Sequence, residues 1–282
     1  MLVIARLVLR EAMRRRLVLA IVILTILAVA LTAWGFSRIP SLGRQPLPID
    51  QVRLIASQLV ILVAFMFSFV LALSAVFVAA PAISGEVETG IALAVLARPL
   101  SRTAYVVGKW LGLATLLFLY AAGSTALELL AVSAVVDYQP PRPLEAFAFL
   151  YGETLVSLTL GLALSTRLSG MVGGIIALVL FGMAWMGGIV GGIGQAFDNE
   201  VVTHVGTATK LLLPTDGLWR GAVHALEPAA ILTAARNIPG SAVGANPFFA
   251  STPPPAAFIL WSVLWIAGVL AIALWSFRRR EV

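Results

Sequence analysis

Residues 17–37, LVLAIVILTILAVALTAWGFS, form an apolar run without a charged side chain. An α-helix of about 20 residues crosses the ~30 Å hydrocarbon layer of a membrane, so this run is long enough to span it. It is also longer than the ~7–15-residue apolar core of a cleaved signal peptide, and the arginines before it are widely spread, from Arg6 to Arg16. The stretch therefore indicates a retained membrane-spanning helix.

The composition extends this interpretation to the whole chain. Its 282 residues are 60% hydrophobic and 11% charged, whereas soluble domains are ~45–50% apolar and about 25% charged. Soluble, disordered and coiled-coil classes are thereby excluded. The absence of cysteine excludes disulfides, thiolate metal sites and cysteine nucleophiles. The net charge of +6 sits at the ends of apolar runs, where membrane topology explains it, and no nucleic-acid partner is expected.

Six runs are long enough to cross a bilayer. They lie near residues 17–36, 54–79, 106–136, 146–166, 171–194 and 256–277. Their apolarity is continuous, without the alternation that a membrane β-barrel requires. We therefore expect an all-α polytopic membrane protein that forms one transmembrane domain over residues 1–282.

The distribution of positive charge predicts the orientation. Six spans place both termini on one side, and that side holds twelve of the 19 lysines and arginines, among them clusters at 14–16 and 278–280. The seven on the other side are diluted over longer loops and matched by seven acidic residues. The positive-inside rule therefore predicts that both termini are cytoplasmic.

Residues 2–16 form an amphipathic N-terminal segment. Arg6, Arg10 and Arg14 are four residues apart, and leucine and valine side chains supply an apolar side. This pattern predicts an interface helix in the inner headgroup layer that leads into the first span.

The segment 81–105, PAISGEVETGIALAVLARPLSRTAY, is expected on the cytoplasmic side. Ser84, followed by Glu86 and Glu88, is typical of a helix start, because acidic residues favour the N-terminal end of the helix dipole. Arg98, before a proline, would end this helix after about three turns. Together with Arg102 these charges form either a docking surface for a cytosolic partner or an ordinary solvated loop.

Two spans carry acidic side chains. Tyr120, Ser124 and Glu128 lie on one stripe of the third span, and Glu153 lies about two turns into the fourth. An ionisable group within a span is a functional hypothesis, here an outward-opening cavity. The alternative is a helix-end acid that snorkels or pairs with Arg142.

The fifth span contains glycines four residues apart. Such spacing lets helix backbones approach closely, which suits either a homodimer seam or packing within one chain. The candidates are Gly170, Gly174, Gly187, Gly188, Gly191 and Gly192.

The stretch 195–255 is too long for a plain connection and is expected on the extracytoplasmic side. Within it, Pro214-Thr215-Asp216 predicts the start of a helix in which Asp216 and Arg220 form an i, i+4 pair. Its apolar side predicts a position at the outer membrane interface, or one that dips into it.

No catalytic or metal-binding residues are predicted. The chain has neither a G-x-S-x-G elbow nor an H-E-x-x-H motif, and His204 and His224 have no companion ligands. The Gly108-Lys109 pair lacks the remainder of a phosphate-binding loop. Energy for driven transport would therefore come from another subunit or from an ion gradient.

Several motifs resemble those of ABC-2 type permeases, the membrane subunits of a class of ABC transporters. They are 84–90 (SGEVETG), 96–102 (LARPLSR) and Gly108-Lys109, with the arginine-rich end at 277–280 (FRRR). Residues 214–220 (PTDGLWR) are similar to a segment in the branch that includes the permease for maturation of the nitrous oxide reductase copper site. The outline of six spans, with a short loop between the fourth and fifth, extends the resemblance over the whole chain.

The resemblance implies a prokaryotic inner-membrane permease that functions as a homodimer, or as a pair of related chains, with two cytosolic ATPase subunits. Residues 84–102 would be the coupling helix, with Glu86 and Glu88 contacting the ATPase and Arg98 and Arg102 positioning the helix. ATP and Mg²⁺ would be bound by the partner, so this chain would hold no cofactor. Some members of the family act on a periplasmic partner, and an accessory of that kind or a lipoprotein is compatible with the sequence.

Two other classes of function are considered. A secondary transporter or channel driven by an ion gradient prefers ionisable groups near the bilayer midplane and paired broken helices. Both glutamates are off-centre, and the two halves of the chain show no repeat. An intramembrane enzyme is disfavoured by the missing catalytic motifs.

Overall fold

The computed structural model describes residues 2–14, 16–42, 45–92, 101–235 and 246–280. Within these ranges the protein is helical, and six helices are long and apolar enough to cross a membrane. They are α2 (Arg16–Ser37), α3 (Ile49–Ala79), α5 (Arg102–Val136), α6 (Pro143–Ser165), α7 (Gly170–Ala196) and α11 (Ala256–Arg278). The shorter helices are α1 (Leu2–Arg14), α4 (Pro81–Glu88), α8 (Glu200–Leu212), α9 (Thr215–Leu226) and α10 (Ala229–Ala235). The expected all-α fold with six spans is confirmed.

The spanning helices extend beyond the apolar runs that predict them. The second run begins after Arg53, yet α3 begins at Ile49, directly after Pro48, and carries Asp50 in its first turn. Charged residues end a hydropathy signal, but they do not end a helix once it leaves the hydrocarbon layer. The Arg53 guanidinium binds the Asp137 carboxylate at 2.6 Å and so ties α3 to the end of α5.

The interior of the bundle is centred on α3 and α6. In the most apolar 18-residue stretch of α6, 50% of the residues are buried. The corresponding share is 6% in the first span and 11% in α11. The peripheral helices α2 and α11 therefore expose most of their leucine, isoleucine and valine side chains. This exposure suits helices that face lipid.

The amphipathic helix α1 packs against α5. Ile4, Ala5 and Val8 are buried, while Leu2 and Leu7 on another side are exposed. Gly112 makes this approach possible, because a Cβ there would lie only 2.9 Å from the Val8 Cβ. One apolar side of α1 thus contacts the bundle, and a second remains available to the membrane interface.

Helix α4 begins earlier than the sequence predicts. It starts at Pro81, directly after α3, so Ser84 is not its first residue. It ends at Glu88, and Gly90 then adopts a left-handed conformation (φ 75°), which ends the helix after about two turns. Residues 93–100, which contain the predicted helix end at Arg98, lie outside the described residues.

The long connection between α7 and α11 folds back into the bundle. Helix α8 runs along α7 as a hairpin, although the sequence analysis does not predict this helix. Helix α9 was expected at the membrane interface, but every one of its residues except Arg220 is buried. Gly217 and Gly221 explain the difference, because they let the Phe258 and Phe149 rings pack directly against the α9 backbone.

Candidate coupling junction and cavity

The candidate coupling residues Glu86, Glu88 and Arg102 belong to the end of the bundle that holds both termini. Four pieces meet there: α4, the first turns of α5, the turn between α6 and α7, and the C-terminal end of α11. We call this region the termini-side junction. The opposite end, formed by α8, α9 and the outer ends of the spans, is called the loop end.

Glu86 of α4 points into the junction and not into solvent. Its carboxylate accepts hydrogen bonds from the Tyr105 hydroxyl and from the Lys109 ammonium, both on α5. The Lys109 side chain is only 10% exposed and that of Glu86 only 23%. Hydrogen bonds between charged partners are stronger than neutral ones, so this pair clamps α4 to α5.

A serine from a distant part of the chain holds the start of α4. The Ser165 hydroxyl oxygen, at the end of α6, accepts hydrogen bonds from the backbone N–H groups of Ile83 (3.1 Å) and Ser84 (3.0 Å). The Ser84 hydroxyl donates to the Ala80 carbonyl and provides no N-cap. Two N–H groups near the start of α4 are thus satisfied by α6, which fixes this end of the short helix to the bundle.

The remaining predicted coupling residues have different positions. Glu88 is exposed at the end of α4. Arg98 lies outside the described residues. The Arg102 guanidinium donates to the carbonyl oxygens of Phe277 (3.3 Å), Arg278 (3.0 Å) and Arg280 (2.6 Å), and so caps α11. Arg102 therefore positions the last helix, and Glu88 is the carboxylate of the predicted pair that is free to meet a partner.

The turn between α6 and α7 is bound to the same helix end. The Arg167 guanidinium donates to the Ser276 hydroxyl at 2.8 Å, and Arg280 donates to the Thr166 carbonyl at 2.7 Å. A movement of α4 would therefore be passed to α5 through Lys109, to α6 through Ser165, and to α7 and α11 through these contacts.

Three of the predicted cavity residues line one cavity. It has a volume of about 380 Å³ and lies between α2, α3, α5 and α6, with Tyr120, Ser124 and Glu128 in its wall. Glu153, predicted as a fourth member, does not line it. Because α2 contributes one wall and is itself almost unburied, the cavity lies next to the lipid-facing surface.

Glu153 instead belongs to a buried charged cluster. Its side chain is close enough to Asp216 for the two carboxylates to interact, and it makes no pair with Arg142, which binds Glu145. The Asp216 carboxylate pairs with Arg220 (3.1 Å) and Lys210 (3.6 Å). The predicted Asp216–Arg220 pair is thus present, but inside the protein.

The fifth-span glycines pack within the chain. A Cβ on Gly191 would lie 2.8 Å from the Gly206 Cα of α8, and one on Gly187 would lie 2.2 Å from the Thr209 hydroxyl oxygen. A Cβ on Gly188 would overlap the Asp216 carboxylate, at 2.1 Å. Gly170 approaches Pro81 of α4, and Gly174 is in contact with Ala80. Gly192 is also buried. Of the two alternatives for this face, the structure shows packing within one chain.

A further carboxyl group is buried at the loop end. Glu227, directly after α9, is 1% exposed, and its polar contact is with the Gln58 amide at 3.4 Å. Burial raises the pKa of Glu227 to about 7, against a smaller opposing effect of the Gln58 hydrogen bond. Burial and the Glu227 charge together raise the pKa of the nearby Tyr138 phenol to about 12.

We expect Glu227 to make stability fall as the pH rises. Between pH ~4.5 and about 7 the folded protein holds a proton that the unfolded chain has lost, so the free energy of unfolding decreases by at most about 1.4 kcal/mol per pH unit. Glu227→Gln should flatten this dependence, measured by thermal unfolding in detergent from pH 5 to pH 8. The exposed Glu200→Gln serves as control, and an unchanged slope in Glu227→Gln would contradict the assignment.

Some of these residues were not singled out by sequence reasoning. The partners of Glu86 and Ser84, namely Tyr105, Lys109 and Ser165, become visible only when three helices are assembled. The sequence points to Lys109 only as part of the Gly108-Lys109 pair, and not as a partner of Glu86. Among the described residues, no group of three or more histidine, aspartate or glutamate side chains could hold a metal ion.

Comparison with known proteins shows which family and which relative this chain is similar to. The profile of ABC-2 family transporter proteins matches residues 2–282. The chain is similar to the probable ABC transporter permease protein NosY of Pseudomonas aeruginosa, with 30% identity over 297 aligned positions that cover 99% of this chain and 98% of the relative.

Proposed function

Because the chain belongs to the ABC-2 family of transporter proteins, we propose that it converts ATP hydrolysis by a separate cytosolic ATPase into movement of its spans. It is the membrane subunit of an ABC transporter, and the sequence contains no motif for nucleotide hydrolysis. In this proposal ATP and Mg²⁺ are bound by the ATPase, and this chain contributes no catalytic residue.

The observation that carries the proposal is the clamp on α4. A docking helix transmits force only if it is attached to the spans it must move. Helix α4 follows α3 directly, is bound to α5 by the Glu86–Lys109 pair, and is held to α6 by Ser165. A push on α4 would therefore act on three spans together.

Glu88 is the residue we assign to docking. It is the exposed carboxylate at the free end of α4, whereas Glu86 is used inside the junction. An exposed charge at an interface fixes register and association rate more than affinity. Arg98 remains predicted to position the helix.

The sidedness follows from the charges. The termini-side junction contains Arg102, Arg167 and the arginines at 278–280, and the positive-inside rule assigns such an end to the cytoplasm. We infer an inner-membrane protein with both termini cytoplasmic, and an ATPase that meets α4 from that side.

We also propose a complex of two copies of this chain with two ATPase subunits. Gly187, Gly188 and Gly191 of α7 pack against α8 and α9, so the contact between copies would use another face. An exposed apolar stripe of α7 fits this role, formed by Met171, Ile175, Val179, Met183 and Met186.

A charge reversal at Glu88 tests the docking site. We expect Glu88→Lys to reduce co-purification of the ATPase by at least tenfold, because a carboxylate contact at the interface becomes repulsive. The measurement is quantitative mass spectrometry of the tagged chain purified in mild detergent. Glu200→Lys, an exposed reversal at the loop end, should leave the complex intact.

Two outcomes would contradict the proposal. Normal ATPase recovery with Glu88→Lys would place docking elsewhere on the chain. A wild-type complex without any nucleotide-binding subunit would favour a carrier driven by an ion gradient.

A further inference from the structure

The cavity between α2, α3, α5 and α6 has the size of a ligand site. Its volume of about 380 Å³ lies within the ~300–1,000 Å³ typical of small-molecule pockets. It extends from Phe36 and Val132 near the loop end to Leu24 and Val70 deeper in the bundle. Its long axis therefore follows the spans, as a chain of methylene groups in a bilayer does.

The wall is apolar except in one region. The polar side chains that line the cavity come mainly from α5, with Thr25 and Thr32 facing them from α2. Tyr120 and Ser124 have partners, because the Tyr120 hydroxyl lies 3.2 Å from the Thr25 hydroxyl and the Ser124 hydroxyl donates to the Tyr120 carbonyl.

Two buried oxygen atoms in this polar region have no hydrogen-bond partner in the described part of the chain. They are Oε1 of Glu128 and Oγ1 of Thr125, three residues apart on α5. Thr32 is the polar neighbour of the Glu128 carboxylate. A buried oxygen without a partner costs free energy, and a carboxylate costs the most.

No positive side chain from the described residues lines the cavity to balance Glu128. Two arginines of the loop end are paired elsewhere, since Arg142 binds Glu145 and Arg220 binds Asp216. A ligand that brings a cation and several N–H donors would satisfy both orphaned oxygens at once.

We propose that this cavity binds a single-chain amphiphile with a primary ammonium head. The ammonium would donate to Glu128 Oε1 and Thr125 Oγ1, and the alkyl tail would lie along α2 and α3 between Leu24 and Val70. The site stands on the geometry of this cavity alone. That such a molecule is also moved across the membrane rests on the function proposed above.

The binding test uses three probes with the same chain length. Dodecylamine, dodecanol and dodecanoate are titrated against the purified chain in a non-ionic detergent, and bound adducts are counted by native mass spectrometry at pH 7. Dodecylamine is expected to bind at least about tenfold more tightly than either of the others, the effect of one charged hydrogen bond.

Two variants test separately how the ammonium head and the alkyl tail are bound. Glu128→Gln should abolish the preference for dodecylamine, while all three probes still bind. Ala64→Leu, which fills part of the cavity, should weaken all three probes. Glu200→Gln removes an exposed carboxylate at the loop end and should bind as the wild type does, and thermal unfolding confirms that each variant is folded.

Equal affinity for amine and carboxylate, or a preference that survives Glu128→Gln, would overturn the recognition of the head. Binding that is unaffected by Ala64→Leu would place the ligand outside this cavity. Stimulation of ATP hydrolysis by dodecylamine in the complete complex is measured separately. A failure there with intact binding would count against the proposed transport and not against the site.

Discussion

Replacing Gly206 by alanine is expected to destabilise the protein by about 3 kcal/mol, because no side chain can move aside to admit the new methyl group. The added Cβ would lie 2.2 Å from the Gly191 Cα and 2.7 Å from its backbone nitrogen. Those atoms belong to α7, so α8 would have to separate from the helix against which it folds. The measurement is the midpoint of thermal unfolding in detergent.

Gly182→Ala, on α7, is the matched control for this prediction. A Cβ at position 182 meets nothing within 4 Å, and alanine in a helix interior is favoured over glycine by about 0.5–1 kcal/mol. The control should therefore be neutral or slightly stabilising. Equal midpoints for the two variants would show that α7 and α8 are not in backbone contact.

The second large effect is expected at Lys109. Lys109→Met removes the cation that holds Glu86, so α4 would no longer be clamped to α5, while the exposed Glu88 is unchanged. We expect the ATPase to co-purify normally, but its movement should no longer be transmitted to the spans. Lys109→Arg, which keeps the charge, should restore part of the coupling.

Spin labels can follow this loss of coupling. The chain contains no cysteine, so a pair of labels can be introduced at Leu130 and Phe197, which are 65% and 80% exposed. Trapping the ATPase with ADP and vanadate should change the distance distribution between the labels in the wild type and in Lys109→Arg. A full change in Lys109→Met would show that force reaches α5 by another route.

The sequence predicts the six spans well because hydropathy depends on local composition. The start of α4 is predicted wrongly for a physical reason. Ser84 has the residue type of an N-cap, but Ser165, 81 residues away, satisfies the N–H of Ser84. A local pattern cannot reveal a cap that comes from another helix.

Helix α8 and the different positions of Glu128 and Glu153 are also not predicted by a local sequence pattern. Helix α8 contains threonine, glycine and histidine and is stabilised mainly by its contact with α7, so its own sequence gives a weak helical signal. Glu128 and Glu153 look alike in the sequence, since both interrupt an apolar span. Only the packing shows that Glu128 faces a cavity and that Glu153 lies beside Asp216.

The capping of α11 by Arg102 also bears on how the protein is made. Domains form as the chain leaves the ribosome, N-terminal parts first, and α11 is the last of the described helices in chain order. Arg102 and Arg167 bind carbonyl and hydroxyl groups near its C-terminal end, so their partners emerge from the ribosome after the other five spans. Until α11 has been made, the termini-side junction lacks these contacts, so this end of the bundle is completed only after the other five spans have been synthesised.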